Sequence, residues 1–336
     1  MRFIIFIFSF FLLVSAAKAQ DPHFSQFFAS PLTLNPAYTG KISGMWRLAA
    51  NHRDQWPSIP KAYVTTTASF DFPAFRKVLS QRGDVLGIGL MALTDASGNS
   101  ALELNYGSLA VSYHKALDAE GYNTLGAGFQ GSYNSLNLDL SKLQFEDQLG
   151  PNGFTNPTGE ALGPGQNLNR SYFDINAGLL FSGSSNGENN YYAGVSMYHI
   201  NRPRVSLQDQ NWYLTGRVTL HAGGTFMIGE NLSLSTSALH QAQNKATETL
   251  FGGALGVMAA SANENPATIY LGSWYRVSDA LIPYIGLEIA GLRLGASYDV
   301  NASSLKAATN SRGGMEVSLI YVKPPPDPTG IPCPKF

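Results

Sequence analysis

Residues 292–301 read Leu-Arg-Leu-Gly-Ala-Ser-Tyr-Asp-Val-Asn. Leu292, Leu294, Ala296, Tyr298 and Val300 alternate with Arg293, Gly295, Ser297, Asp299 and Asn301. Successive side chains of an extended chain point to opposite faces, so this stretch is a strand with one apolar and one polar face. A slip of one residue would carry Arg293 and Asp299 onto the apolar side, so the register is well specified. The pattern recurs upstream. Phe173, Ile175, Ala177, Leu179 and Phe181 oppose Asp174, Asn176 and Gly178; Leu125, Ala127, Phe129 and Tyr133 oppose Gly126, Gly128, Gln130, Ser132 and Asn134. Ala62, Val64, Thr66, Ala68 and Phe70 oppose Tyr63, Thr65, Thr67, Ser69 and Asp71.

A soluble β-sandwich alternates in the same way. Three features favour a membrane instead. The segments run to about 10 residues, the length that crosses a bilayer at a tilt. Aromatic pairs stand near strand ends, at Tyr191-Tyr192, Trp212-Tyr213 and Trp274-Tyr275, in the manner of an interfacial girdle. Finally, residues 1–19 have the form of a secretory signal peptide. Arg2 supplies the positive end, residues 3–14 are apolar apart from Ser9, and Ala17-Lys18-Ala19 is an A-x-A cleavage site. The apolar run is shorter than the ~20 residues of a spanning helix, so the mature chain is expected to start at Gln20.

Composition agrees. Charged residues are 13% of the 336, well below the ~25% of soluble proteins, while aromatics reach 12% and glycine 34 residues. The net charge of −1 gives no basic field for nucleic acid. The single cysteine, Cys333, rules out an intrachain disulfide and a cysteine-built zinc site. The expected fold is all-β: a transmembrane antiparallel β-barrel of about fourteen strands. They are placed near 45–54, 62–72, 84–95, 102–117, 122–135, 171–183, 190–201, 213–227, 231–243, 246–260, 266–277, 281–289, 291–301 and 312–322. With a periplasmic N-terminus the longest gap, about 136–170, falls on the extracellular side, opposite tight connections such as Gly229-Glu230 and Ala290-Gly291. The chain divides into a signal peptide (1–19), an irregular periplasmic or plug-like segment (20–44), the barrel (45–322) and a Pro-rich periplasmic tail (323–336).

Residues 20–40, QDPHFSQFFASPLTLNPAYTG, are neither a long helix nor a central strand, because Pro31 and Pro36 fix φ and remove donors. Their aromatics, Phe24, Phe27, Phe28 and Tyr38, imply packing against something. Catalytic signatures are missing from the sequence. Gly126-Ala127-Gly128-Phe129-Gln130-Gly131 matches G-x-G-x-x-G, but it sits in an alternating strand with no helix after it, so the dinucleotide reading fails and close lumen packing or curvature replaces it. The six histidines are scattered without metal-ligand spacing, so neither cofactor nor metal is expected. Glu288, Arg293, Asp299, Arg276 and Glu316 are expected to form a lumen charge network, since buried charges need partners.

Several stretches carry a family resemblance. Gln20-Asp21-Pro22-His23-Phe24-Ser25-Gln26-Phe27 with Asn35-Pro36-Ala37-Tyr38-Thr39-Gly40, Arg53-Asp54-Gln55-Trp56-Pro57 and His199-Ile200-Asn201-Arg202-Pro203 resemble the PorP/SprF family of the type IX secretion and gliding system. So do Gly272-Ser273-Trp274-Tyr275-Arg276, Ser297-Tyr298-Asp299-Val300-Asn301 and the closing Cys333-Pro334-Lys335-Phe336. The resemblance implies a non-enzymatic outer-membrane barrel that partners a large secreted, adhesin-like cargo through the cargo's type IX C-terminal domain, or that joins the periplasmic ring and motor components. It places extracellular partner contacts at Trp56, Pro57, Asn201, Arg202 and Pro203, and periplasmic or plug-like ones at Phe27, Asn35, Pro36 and Tyr38. Two alternatives stay open: a channel for small or hydrophobic solutes with the N-terminal segment as plug, and a barrel enzyme with a Ser–His site assembled from distant strands.

Overall fold

The computed structural model describes residues 21–58, 62–75, 79, 83–159, 167–207, 211–259, 267–304 and 306–325. The expected signal peptide, Gln20 and the tail from Pro326 onward, Cys333 included, lie outside the described residues. Fourteen antiparallel strands close into one barrel. They are β1 (Arg47–Gln55), β2 (Tyr63–Ala74), β3 (Val85–Ser97), β4 (Leu102–Ala116), β5 (Thr124–Asp139), β8 (Asn167–Ser184), β9 (Asn190–Tyr198), β10 (Arg217–Gly229), β11 (Leu232–Gln243), β12 (Ala246–Met258), β13 (Thr268–Arg276), β14 (Ala280–Ile289), β15 (Leu292–Asn301) and β16 (Arg312–Val322). A two-residue ladder, β6 (Leu149–Gly150) with β7 (Gly153–Phe154), stands apart in the longest connection. Strand β1 pairs with β16 from Arg47↔Val322 to Gln55↔Gly314, so no edge is left unpaired.

The period-two pattern sorts side chains as the sequence reading expects. On β5, Gln130, Ser132 and Asn134 are buried inside, while Phe129 and Tyr133 point outward at 65% and 63% exposure. Such an apolar belt is a liability in water and a requirement against lipid. No described helix is long and apolar enough to cross a membrane; the strands do so.

Three strand ends depart from expectation. β5 and β8 run on to Asp139 and start at Asn167. These extensions read as loop because their outer positions are Ser135, Asn137, Asn169 and Ser171 rather than apolar; they rise above the apolar belt, where polar outer positions cost nothing. Strand β10 starts at Arg217, and Trp212-Tyr213 belong to the preceding loop, where Tyr213 bridges Arg204. The aromatic girdle also needs correction. Neighbours in a strand face opposite ways, so only one residue of Tyr191-Tyr192 and one of Trp274-Tyr275 can reach the outer surface. Trp274 points inward at 4% exposure, and Tyr192 packs against the same inner core. An outer aromatic cluster does form where the chain enters and leaves the barrel, from Trp46, Phe70, Phe72 and Tyr321.

The two rims differ. One carries the connections 56–62, 140–166 and 199–216 and is called here the long-loop rim. The other holds the entry at Arg47, the exit at Val322 and the two-residue turns at Glu230-Asn231 and Ala290-Gly291. Ala290-Gly291 joins β14 to β15 with φ +51° and +81°, the paired left-handed geometry of a two-residue hairpin turn.

Candidate functional site

The lumen is not empty. Residues 24–42 lie inside it, and nearly all of them are buried. The two prolines cut this segment into short turns, Phe27–Ala29, Pro31–Leu34 and Pro36–Tyr38. Pro31 and Pro36 open the last two, where their missing N–H groups would have had no helical partner anyway. The buried hydrophobic core of the protein is the contact between this plug and the inner wall. Phe27, Leu34, Ala37 and Tyr38 meet Leu180, Leu239, Leu250, Trp274, Ile282 and Tyr284. Phe28 stacks on Trp274 with ring centroids 4.8 Å apart and meets Tyr284 edge-on. Each fully buried large apolar side chain contributes roughly 1.5–3 kcal/mol, so the plug is held as firmly as a protein core.

Polar contacts fix its path from one rim to the other. Asp21 lies at the long-loop rim. Its backbone N–H donates to Gln243 Oε1 at 2.8 Å, and its Oδ2 lies 2.6 Å from His199 Nε2 and 3.4 Å from Arg217 Nη1. His199 Nδ1 lies 2.9 Å from Asp174 Oδ2, so the imidazole is clasped between two carboxylates. Burial alone would favour its neutral form, but Asp21 and Asp174 outweigh that and its pKa is pushed up to about 9. Burial would likewise raise the Asp21 carboxyl; His199 and Arg217 hold it instead far below the usual carboxylate range.

Further in, Glu316 accepts the backbone N–H groups of Ser25 and Gln26 at 2.7 and 2.9 Å. Arg53 pairs with Asp299 at 2.8 Å and with Glu316 at 3.1 Å, and Arg276 pairs with Asp299 at 2.9 Å and Glu248 at 2.8 Å. The Ser25 hydroxyl sits among Arg53, Arg276 and Asp299. At mid-depth the Asn35 amide donates to the Leu179 and Val195 carbonyls, meets His221 Nε2 at 3.1 Å, and its oxygen caps the Ala37 N–H. The Tyr38 hydroxyl lies 3.2 Å from His221 Nδ1. Near the entry rim Asp71 accepts from Gly40 N–H at 2.7 Å and from Arg47 through both carboxylate oxygens, while Arg47 also reaches the Tyr38 carbonyl. Lys41 donates to Thr124, and the Met45 N–H reaches the Lys323 carbonyl where the chain leaves the barrel.

Glycines on the inner wall make this fit possible. A Cβ at Gly128 would lie 2.6 Å from Ala37 Cα, and one at Gly178 would lie 2.7 Å from Asn35 Cγ. The glycines of the G-x-G-x-x-G run therefore serve, at Gly128, as a seat for the plug.

Above the plug a cavity of about 630 Å³ opens at the long-loop rim. Asp21, Pro22 and His23 form its floor; Trp56, Tyr63, Tyr172, Trp212 and the leucines Leu102, Leu104 and Leu136 are among its walls. Trp56, His199 and Arg202 all hold left-handed backbone angles, at φ 56°, 59° and 45°. Non-glycine residues adopt them uncommonly, mostly in tight turns such as those of this rim.

The residues singled out in sequence fall into two groups. Phe27, Asn35, Pro36 and Tyr38 are buried in the lumen and face the barrel wall. Trp56, Pro57, Asn201, Arg202 and Pro203 stand at the long-loop rim. Pro57 and Arg202 are exposed, Trp56 is half-buried against the cavity, and Pro203 is buried. Asn201 holds structure together. Its side-chain amide pairs with Ile175 N–H and the Phe173 carbonyl, closing the edge of β8 beyond the reach of β9. The expected charge network is real for Arg276, Asp299 and Glu316. Glu288 and Arg293 form a separate pair with Tyr270 near the opposite rim. Arg53, Asp71, His199, His221 and Glu248 were missed as site residues; Arg53 and Asp71 were legible as charges on the polar parity of β1 and β2. Among the described residues no cluster of His, Cys, Asp and Glu could hold a metal.

A family model described as type IX secretion system membrane protein PorP/SprF matches residues 16–321. No curated protein matches the chain. Among solved structures, the Ralstonia pickettii toluene transporter TbuX shares 12% identity over 88% of this chain and 93% of its own, with a TM-score of 0.48. The CymD monoaromatic hydrocarbon channel gives 12%, 88%, 92% and 0.48, and a Pseudomonas aeruginosa FadL homologue 10%, 86%, 92% and 0.44. Likeness at this level carries no argument about what passes through or binds to this barrel.

Proposed function

We propose, from the premise that this chain belongs to the PorP/SprF family of type IX secretion system membrane proteins, that it is a non-enzymatic outer-membrane partner barrel. It receives a large secreted, adhesin-like cargo through the cargo's C-terminal domain and supports its export or surface attachment. The observation that carries this reading is the lumen itself. An open water-filled pore would keep the passage clear, whereas here residues 24–42 fill it with core-like packing and with hydrogen bonds to the buried wall charges Glu316 and Asp299. Above the plug a cavity of about 630 Å³ opens at the long-loop rim, a shape suited to holding a segment. The rim residues Trp56, Pro57 and Arg202 are the cargo-facing positions, with Asn201 and Pro203 holding the loop that presents them.

The test is recovery of the tagged barrel from its native outer membrane in mild detergent. Co-purification of one large secreted protein, dependent on that protein's C-terminal domain, is the expected result. Periplasmic ring and motor components in its place would make the barrel a machinery subunit. A barrel recovered alone, with open-channel conductance in planar bilayers, would refute the proposal in favour of solute transport.

A further inference from the structure

The cavity at the long-loop rim has a charge balance that selects its occupant. Four carboxylates line it, Asp21, Asp95, Glu248 and Asp279, against one arginine, Arg276. That arginine is already committed, to Glu248, Asp279 and Asp299 at 2.8, 3.1 and 2.9 Å. Asp21 has His199 and Arg217. Asp95 differs from the other three. It accepts a hydrogen bond from the Thr65 hydroxyl at 2.5 Å, and among the described residues no cation lies within ion-pairing distance of it. A half-buried carboxylate facing an open cavity without a cation is unfinished electrostatics.

The walls add a second, independent feature. Trp212 is 56% exposed and Tyr63 is 43% exposed, both on the cavity at the mouth of the barrel. Their positions are held by structure rather than left loose. The Trp212 carbonyl accepts from Val205 N–H at 3.0 Å, and Tyr63 meets Trp56 edge-on at 5.5 Å. Leu102, Leu104 and Leu136 give the wall formed by β4 and β5 an apolar face. Aromatic faces beside carboxylates attract a cation through both the ring quadrupole and the anionic oxygen. The volume of about 630 Å³ lies within the ~300–1,000 Å³ range of ligand clefts. The plug closes the floor, so whatever enters must leave by the same mouth, and a segment tethered to a larger body outside satisfies that constraint.

We infer that this cavity docks a short peptide segment of the partner protein in which a lysine or arginine is flanked by apolar residues. The basic side chain reaches Asp95 past Trp212 and Tyr63, and the apolar neighbours cover Leu102, Leu104 and Leu136. The inference rests on the partner-barrel reading and names the chemistry recognised at that site.

The test uses the full-length barrel in zwitterionic-lipid nanodiscs and a fluorescein-labelled hexapeptide, Leu-Val-Lys-Leu-Lys-Val amide, with empty nanodiscs as the blank. Fluorescence anisotropy should show saturable binding that weakens at least ~30-fold when both lysines become glutamates, in line with a desolvated charge pair. Asp95→Asn and Trp212→Ala should each weaken it about 10-fold, as for hot-spot residues, with unchanged β-sheet circular dichroism showing that both variants fold. Equal affinity for the lysine and glutamate peptides, tighter binding of toluene than of peptide, or indifference to both substitutions would overturn the inference. Co-purification separates this from the wider proposal. If wild type and Asp95→Asn capture the same secreted protein equally, the docking chemistry is wrong while the partner role stands. If the wild type captures none, the partner role itself fails.

Discussion

A single methyl group at position 128 tests whether the plug is seated as described. Gly128 faces inward from β5, and a Cβ there would approach Ala37 Cα to 2.6 Å. Carbon atoms in ordinary contact sit about 3.5–4.0 Å apart, so Gly128→Ala demands a displacement of about 1 Å. The obstructing atoms are backbone, and they cannot rotate aside. The turn Pro36–Tyr38 is fixed by the Asn35 cap on one side and by the Tyr38–His221 contact on the other. Overpacking of this kind costs about 1–3 kcal/mol, and the cost falls on plug docking rather than on the strand ladder. Gly107 on neighbouring β4 is the control, since it faces outward with nothing within 4 Å of an added Cβ. Gly107→Ala should change stability by no more than about 0.5 kcal/mol. The assay is limited proteolysis of the barrel in detergent, following cleavage within residues 21–40, alongside urea unfolding read by tryptophan fluorescence. Gly128→Ala should be cut in the plug under conditions where wild type and Gly107→Ala are intact, and its midpoint should fall. Should all three proteins give the same protease pattern and midpoint, the plug does not rest on β5.

Three further outcomes follow from the same geometry. Arg53→Ala removes the cation nearest Glu316 and one of two on Asp299, and the loss should be about 3–5 kcal/mol because two buried carboxylates are left undercompensated; Arg53→Ala with Glu316→Gln should recover part of it in the same urea titration, and no recovery would separate Glu316 from the pair. The His199 clasp on Asp21 gives a pH dependence. The raised histidine pKa means its contribution is full below the unfolded value of ~6.5, and is lost as pH rises through about 9. The Asp21 carboxyl is depressed, so its share persists above the ordinary carboxylate pKa and is lost only in strong acid. Amide exchange at residues 21–24 should therefore quicken between pH 7 and 10 beyond the intrinsic rate, and His199→Gln should flatten that profile; a slope unchanged in the variant would assign the titration elsewhere. Finally, an epitope placed just ahead of Asp21 should be reached by antibody on the same face as one inserted in the 140–166 connection, and opposite to one following Lys323; detection of the first with the third would reverse the path of the plug.

Much of the barrel was legible because period two is a strong signal. A strand between lipid and a polar interior must alternate, and fourteen such segments sufficed to count the strands. Signals that depend on what lies opposite were weaker. Glu288 and Arg293 look like neighbours of Arg276 and Asp299 in sequence, yet β14 and β15 form a hairpin. Its turn places Glu288 and Arg293 at one rim, and its open end places Asp299 at the other. Arg53 lies 246 and 263 positions from its partners, and no local pattern announces such a pair. Adjacent aromatics read as a girdle because both members are large, but a strand can present only one of them to the bilayer. For residues 20–40 the prolines and aromatics gave the character of the segment, irregular and packed, without its address. The address is written in small residues on other strands, Gly128 and Gly178, whose role appears only once the plug lies against them.

The direction of the plug carries a mechanical consequence. Its C-terminal side is joined to β1 at the entry rim, while Asp21 lies at the far mouth beside the long loops. A cork can be driven out either way; a cord anchored below can only be reeled back the way it is tied. Tension applied at Asp21 from the long-loop side draws the cord taut against Arg47 and Asp71 and leaves the bore obstructed. Clearing the bore requires a pull at residues 41–46, from the side where the chain also leaves the barrel at Lys323. The path of the plug thus makes the two sides of the barrel unequal: residues 41–46 and Lys323 stand together on one side, and Asp21 stands on the other.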